Sequence, residues 1–394
     1  MLHSGPPTEP SSPEFGERVA GAGAAFGRAG VAAVYLIHGT FAGNDALGLA
    51  TELERLAPRL AQALRRCGKR TLDLILGETG NYTPRFAARM EQSLSRGAGR
   101  SIPVRLFHWS SLNNHIGRAD AAIRLLDELA TFAQAPIHHP PLSKGGAGGG
   151  VSAAEDAADR ATSPHVRVLL WSHSHGGNVV ALATNLLGAD DAARSEFFAA
   201  AGAFYRGGWT GKPAFPAWQR VEELLARPEH PLRRLQLDVV NFGTPIRYGW
   251  DSSGYAKLLH VTNHRPREGD ADYLARYPVR CAAVLSGRAG DFVQQLGIAG
   301  SNLPPLPLAL QTFLANRRLG SLLERQLPPR LLTTRMKAAM RVPEEGVTLL
   351  VDYDDPDRLP HRHLLGHAPY TRSRWLPLHC ELVAQEFYGT DGPE

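Results

Sequence analysis

The stretch that decides how this chain is read is VLLWSHSHGGNVVAL, Val168 to Leu182. An apolar run breaks at Ser-His-Ser-His-Gly-Gly and resumes with helical spacing. A strand that turns this sharply into a helix needs small side chains two places before and two places after the corner residue. Around Ser174 those places hold Ser172 and Gly176, giving S-x-S-x-G with Gly177 easing the helix further. The pattern has the sterics of a corner that holds Ser174 up as a nucleophile. Ser172 is the fallback, but Leu170 stands two places before it and is too bulky for the turn. His173 and His175 read as site walls or packing residues rather than as the base. No acidic or cysteine ligand stands near them in sequence, so no metal is expected.

A serine hydroxyl needs a base to take its proton and donors to hold the oxyanion. VYLIHGTFAGND, Val34 to Asp45, places His38-Gly39-Thr40-Phe41 at the end of an apolar run. Gly39 allows an irregular turn with unpaired amides. The Thr40 N–H, with Phe41 beside it, is expected to meet the His175 N–H at one point.

Working outward, apolar runs alternate with helical patterns, as in a parallel sheet covered by helices. VAAVYLI (31–37), LDLIL (72–76), PVRLFHW (103–109), VRVLLW (166–171), LQLDVVNF (235–242), KLLHVTN (257–263) and VTLLVDY (347–353) read as strands. Leucines 49, 53, 56, 60 and 64 mark a helix that stops at Cys67-Gly68. Further helices are expected from about Arg118 to Gln134, after the Ser174 corner to about Leu187, and from about Leu376 to Phe387. Residues 1–30 are rich in Pro, Ser and Gly and read as a disordered lead-in. Residues 31–394 read as one α/β domain with insertions at about 135–164, 189–234 and 302–342. The first insertion is dominated by Gly, Pro and Ala. The other two are apolar and suit either a cap over a site or extra helices on the sheet edge.

The formal net charge is +5, and the basic residues are scattered. That argues against nucleic-acid binding. Three distant cysteines suggest no disulfide framework, no stretch reaches the length of a membrane helix, and the N-terminus lacks a signal-peptide core. A cytoplasmic protein is expected, with signal-independent export left open.

HGTF, SHSHGG, NFGTP (241–245) and GHAPY (366–370) together resemble the α/β-hydrolase superfamily, its lipase and esterase-like branch in particular. The resemblance covers about Val31 to Tyr388, insertions excepted. It implies an α/β-hydrolase fold and the chain order nucleophile, acid, histidine. His367, between the last strand and the terminal helix, takes the place of the base, with His361, His363 and His379 as rivals. Asp291, in a Gly-Asp-x-Val turn, takes the place of the acid, with Asp270 as the alternative. FHWSSLNNHIGR (107–118) resembles a segment at the strand ends of such proteins, so Trp109, Ser111 and Asn114, with Phe41 and His173, are expected to line a pocket. The implied activity is cleavage of a carboxylic ester, with lipid esters favoured by the apolar insertions, and it needs no cofactor. An acyltransferase, a phospholipase-type effector and a fold that has lost its chemistry and only binds remain alternatives. Peripheral membrane contact through the apolar insertions is compatible with each, and the oligomeric state is left open.

Overall fold

The apolar runs assemble into a seven-stranded sheet in which every pairing is parallel. The computed structural model describes residues 2–40, 43–135, 165–206, 215–275, 279–300, 302–305, 309–324 and 345–389, with 334 and 336 as isolated positions. Its strands are β1 (Leu2–His3), β2 (Val31–Ile37), β3 (Val104–Phe107), β4 (Val166–His173), β5 (Leu235–Phe242), β6 (Lys257–Asn263) and β7 (Val347–Asp352). They lie in the order β1-β7-β6-β5-β4-β2-β3. Helices α1 (Pro13–Arg28), α2 (Leu49–Glu54), α3 (Pro58–Leu76), α4 (Pro84–Ala98) and α5 (His115–Gln134) come before β4. After it come α6 (Gly176–Gly188), α7 (Asp191–Tyr205), α8 (Pro216–Leu225), α9 (Cys281–Leu285), α10 (Phe292–Gly300), α11 (Leu310–Leu323), α12 (Pro360–His363) and α13 (Leu376–Tyr388).

The central strand shows why its sequence reads as unbroken apolar. Val168 and Leu170 of β4 enter a core with α5, α6, α7 and α8, while Leu169 and Trp171 enter a second core with α1, α4 and α13. Alternate side chains leave opposite faces of a strand, so a strand covered on both faces needs apolar residues throughout. Helices on both faces leave the carboxyl ends of the strands as the place where loops from distant parts of the chain can converge.

Three sequence expectations are corrected. Residues 1–30 are not a disordered lead-in. Pro13 starts α1, Ser12 caps it, and Phe15, Val19 and Phe26 are buried against the sheet's outer layer. The Ala and Gly content serves close approach, since a Cβ on Gly97 of α4 would sit 1.8 Å from the Ala20 carbonyl oxygen of α1. LDLIL is not a strand but the last turns of α3, where Leu74 and Ile75 are exposed. The periodic leucines 49–64 do not form one helix. Pro58 opens a second helix at its N-terminal position, and the chain runs helical through Gly68 to Leu76.

The 189–234 insertion forms α7 and α8, which pack on α11 and α5. Phe197, Phe204, Phe215 and Trp218 are buried there, so this insertion extends the helical layer. Of the 302–342 insertion, 302–305 and α11 are described, and α11 lies on α7 and α5. Most of the 135–164 insertion, and Phe41, lie outside the described residues. Among the described residues no helix is long and apolar enough to cross a membrane.

Candidate active site

Ser174 sits between the end of β4 and the start of α6, with φ of 54°. A left-handed backbone on a non-glycine residue is strained and persists only where its surroundings impose it. Here its amide donates to the Phe242 carbonyl at 2.9 Å, tying the corner to β5. Gly176 has no room for a side chain, since a Cβ would stand 2.7 Å from the carbonyl oxygens of Ile37 and His38. The small-residue rule read from the sequence is therefore a rule about β2 passing close by. Ser172 is wholly buried and donates its hydroxyl to the Val240 carbonyl and the Asn241 side chain, which removes it as the fallback nucleophile.

Gly39 lies directly against the serine, where a Cβ would be 2.5 Å from Ser174 Cβ. The His38-Gly39 turn is braced from the segment after β3. Trp109 Nε1 donates to the His38 carbonyl at 2.8 Å, and Ser111 Oγ donates to the Gly39 carbonyl at 2.8 Å. Among the described residues nothing accepts from the Thr40 amide, and the buried Thr40 hydroxyl has no partner. His175 is the residue at the N-terminal cap of α6, where backbone N–H groups carry the positive end of the helix dipole.

On the other side of the corner, His367 Nδ1 lies 2.7 Å from Asp291 Oδ2. Asp291 is buried and holds three further bonds. Its Oδ2 accepts from the Tyr370 hydroxyl at 2.9 Å, its Oδ1 from the Gln294 amide at 2.8 Å, and its own amide donates to the Asn263 carbonyl. Asn263 also donates Nδ2 to the Gly366 carbonyl at 2.7 Å and its amide to Tyr370 Oη at 2.6 Å. The acid loop and the histidine loop are thus joined at the end of β6. They touch so closely that a Cβ on Gly366 would sit 2.0 Å from the Gly290 carbonyl oxygen. Leu364, Leu365 and Gly366 all have positive φ, so the histidine is carried on strained backbone.

The two sides meet at His173. Its ring lies 4.5 Å, centroid to centroid, from that of His367. Both of its ring nitrogens, and Nε2 of His367, are buried without a hydrogen-bond partner. Burial, with the His367 charge next, holds the His173 imidazole well below its ordinary value. Burial likewise keeps His175 neutral, followed by the charges of Arg118 and Arg247, and it keeps His38 neutral, followed by Lys69. Burial also pushes the Tyr370 phenol well above its ordinary value, with the Asp291 charge next, so it stays a donor.

Of the sequence candidates, Ser174, Asp291, His367, His173, His175 and Thr40 share one end of the sheet. Asp270 does not; it is exposed, on a turn held by its own amide to the Arg267 carbonyl. His361 is exposed, His363 contacts the Leu285 carbonyl, and His379 contacts the Tyr353 hydroxyl. Trp109 and Ser111 are buried braces of the Gly39 turn rather than pocket walls. Asn114 caps α5, accepting from the Gly117 amide at 2.8 Å. Tyr370 and Asn263 were missed. Nothing local marks them, since both act through loops that are distant in sequence.

Among the described residues no group of three or more His, Cys, Asp or Glu side chains is placed to hold a metal ion. A cavity of about 740 Å³ lined by Leu187, Arg194, His230 and Leu235 lies at the start of β5, at the opposite end of the sheet from Ser174. The chain matches no protein-family model, no curated protein and no solved structure.

Proposed function

We propose that the chain has the α/β-hydrolase fold and is a serine hydrolase that cleaves carboxylic esters through an acyl-enzyme on Ser174. The observation that carries this reading is a strained corner serine whose chain neighbour, His173, lies 4.5 Å from an imidazole, His367, with Nδ1 held by Asp291 and Nε2 buried and unpartnered. A histidine held at Nδ1 by a carboxylate has its tautomer set, with Nε2 as the basic nitrogen. Ser174 Oγ attacks the ester carbonyl as His367 Nε2 takes its proton. The Thr40 and His175 amides receive the oxyanion, and loss of one such donor typically costs about 10²–10³ in rate. His367 returns the proton to the leaving alcohol, and water then repeats the cycle on the acyl-enzyme. His367 Nε2 accepts no hydrogen bond from Ser174 in this structure; catalytic hydrogen bonds often form only once substrate is bound.

The test is labelling with a fluorophosphonate, beside hydrolysis of p-nitrophenyl esters from acetate to palmitate. Wild type should be labelled and active, and Ser174→Ala should lose the label and on the order of 10⁶-fold in kcat. A well-folded wild type that is neither labelled nor active would leave a binding protein on this fold as the better reading.

A further inference from the structure

FHWSSLNNHIGR ends in Arg118, a residue the proposed chemistry does not use. Its side chain is wholly buried on the first turn of α5. It donates to the Tyr248 hydroxyl at 2.9 Å, Asn113 Oδ1 at 2.7 Å and Asn302 Oδ1 at 2.9 Å, and its Nε has no partner. Among the described residues no carboxylate pairs with it. A buried cation supported only by neutral acceptors is costly to keep. A second buried guanidinium, Arg247, stands nearby. Its amide donates to Asn178 Oδ1 at 2.9 Å, and Asn178 contacts His175 Nδ1 at 3.1 Å, so Arg247 is two bonds from the Ser174 corner. Both arginines act on the same neighbours. Burial first, then Arg118 and Arg247, lowers His115 to about 3.

Among the described residues Glu324 is the carboxylate seen to reach this basic cluster. Glu324, just past α11, pairs with Arg247 and comes within 3.6 Å of His115 Nε2 and 3.5 Å of Asn302 Nδ2. Residues 302–343 carry seven Lys and Arg and only that one acid. Beside Arg247 and Tyr248 opens a cavity of about 430 Å³, walled by Leu182, Leu186, Phe197, Leu322 and Leu323, with the exposed Glu196 also bordering it. That volume falls within the ~300–1,000 Å³ of small-ligand pockets.

We propose that Arg118 and Arg247 form an oxyanion-binding subsite beside the Ser174 corner, and that the ester this chain cleaves carries a phosphate-type oxyanion. The inference rests on Ser174 being the nucleophile and names the substrate class of that same site. The Glu324 carboxylate pairs with Arg247 in this structure, and an incoming oxyanion takes its place. Arginine suits the role because its planar fork matches phosphate oxygens. The apolar cavity alongside takes hydrocarbon from the same amphiphile.

The test compares a monoacylglycerol phosphate with the monoacylglycerol of the same acyl chain. Wild type should prefer the phosphate ester in kcat/KM by about tenfold or more, and Arg118→Gln and Arg247→Gln should each shrink that ratio by about tenfold, toward one. Calorimetry on Ser174→Ala should show glycerol phosphate binding, stronger in Ser174→Ala/Glu324→Gln because the competing carboxylate is gone. Binding of inorganic phosphate as tight as glycerol phosphate would assign the subsite to the free ion and overturn the substrate claim. A wild-type ratio near one, or no glycerol phosphate binding, would overturn it too while leaving the hydrolase reading standing. Absence of labelling and of all hydrolysis would instead sink the hydrolase reading and this substrate class with it.

Discussion

The two halves of the site differ in how their polar atoms are treated. The acid–histidine half is the more saturated: Asp291, Asn263, Tyr370 and the Gly366 carbonyl bond one another across three loops, with Asn263 Oδ1 left without a partner. The half around the Ser174 corner leaves more polar atoms unsaturated, among them the Thr40 hydroxyl, both nitrogens of His173 and Nε2 of His367. Buried polar atoms are usually paired because stranding one costs about 1–3 kcal/mol.

The largest break should come from the saturated half. Asp291→Asn keeps the shape but no longer favours Nδ1–H on His367, so kcat should fall on the order of 10⁴-fold with KM little changed. Steady-state kinetics on a p-nitrophenyl ester reads this. Gly366→Ala attacks the same half through the backbone. With φ of 91° and the Gly290 carbonyl in the way, the added methyl should cost about 3 kcal/mol or more in urea unfolding.

The unsaturated half is tested by acid. His38, His173 and His175 are buried with depressed pKa values, as are His260 at about 4 and His115 at about 3. A folded imidazole that resists protonation binds fewer protons than the unfolded chain once the pH drops below the ordinary 6.5. Stability is therefore full above that value and should drain away as the pH falls toward 4. Scanning calorimetry should show Tm falling steadily through this window, and His173→Phe should make the fall shallower. The smallest effect belongs to Asp270→Asn, outside both halves. Its stability should stay within about 0.5 kcal/mol of wild type and its kcat/KM should not move.

Much of this contrast was legible along the chain, but unevenly. β5 and β6 fall where their sequences alternate with turn residues, and the Ser174 corner falls where small residues flank a serine. LDLIL misled because a short apolar run has no period long enough to separate strand from helix. The first thirty residues misled because Pro, Ser and Gly read as disorder by composition, whereas Ser12 and Pro13 start α1 and its glycines let it approach α4.

Local sterics and side-chain period are properties of neighbouring residues, and they sufficed to write the parallel sheet, the corner and the Gly39 turn into the chain. The choice of Asp291 over Asp270, the bracing by Tyr370 and Asn263, and the burial of Arg118 beside Arg247 depend on loops separated by many residues. Which carboxylate meets the imidazole is decided by which loop packs against β6 and the histidine turn. No period or spacing encodes that, because the contact exists only once both faces of the sheet are covered.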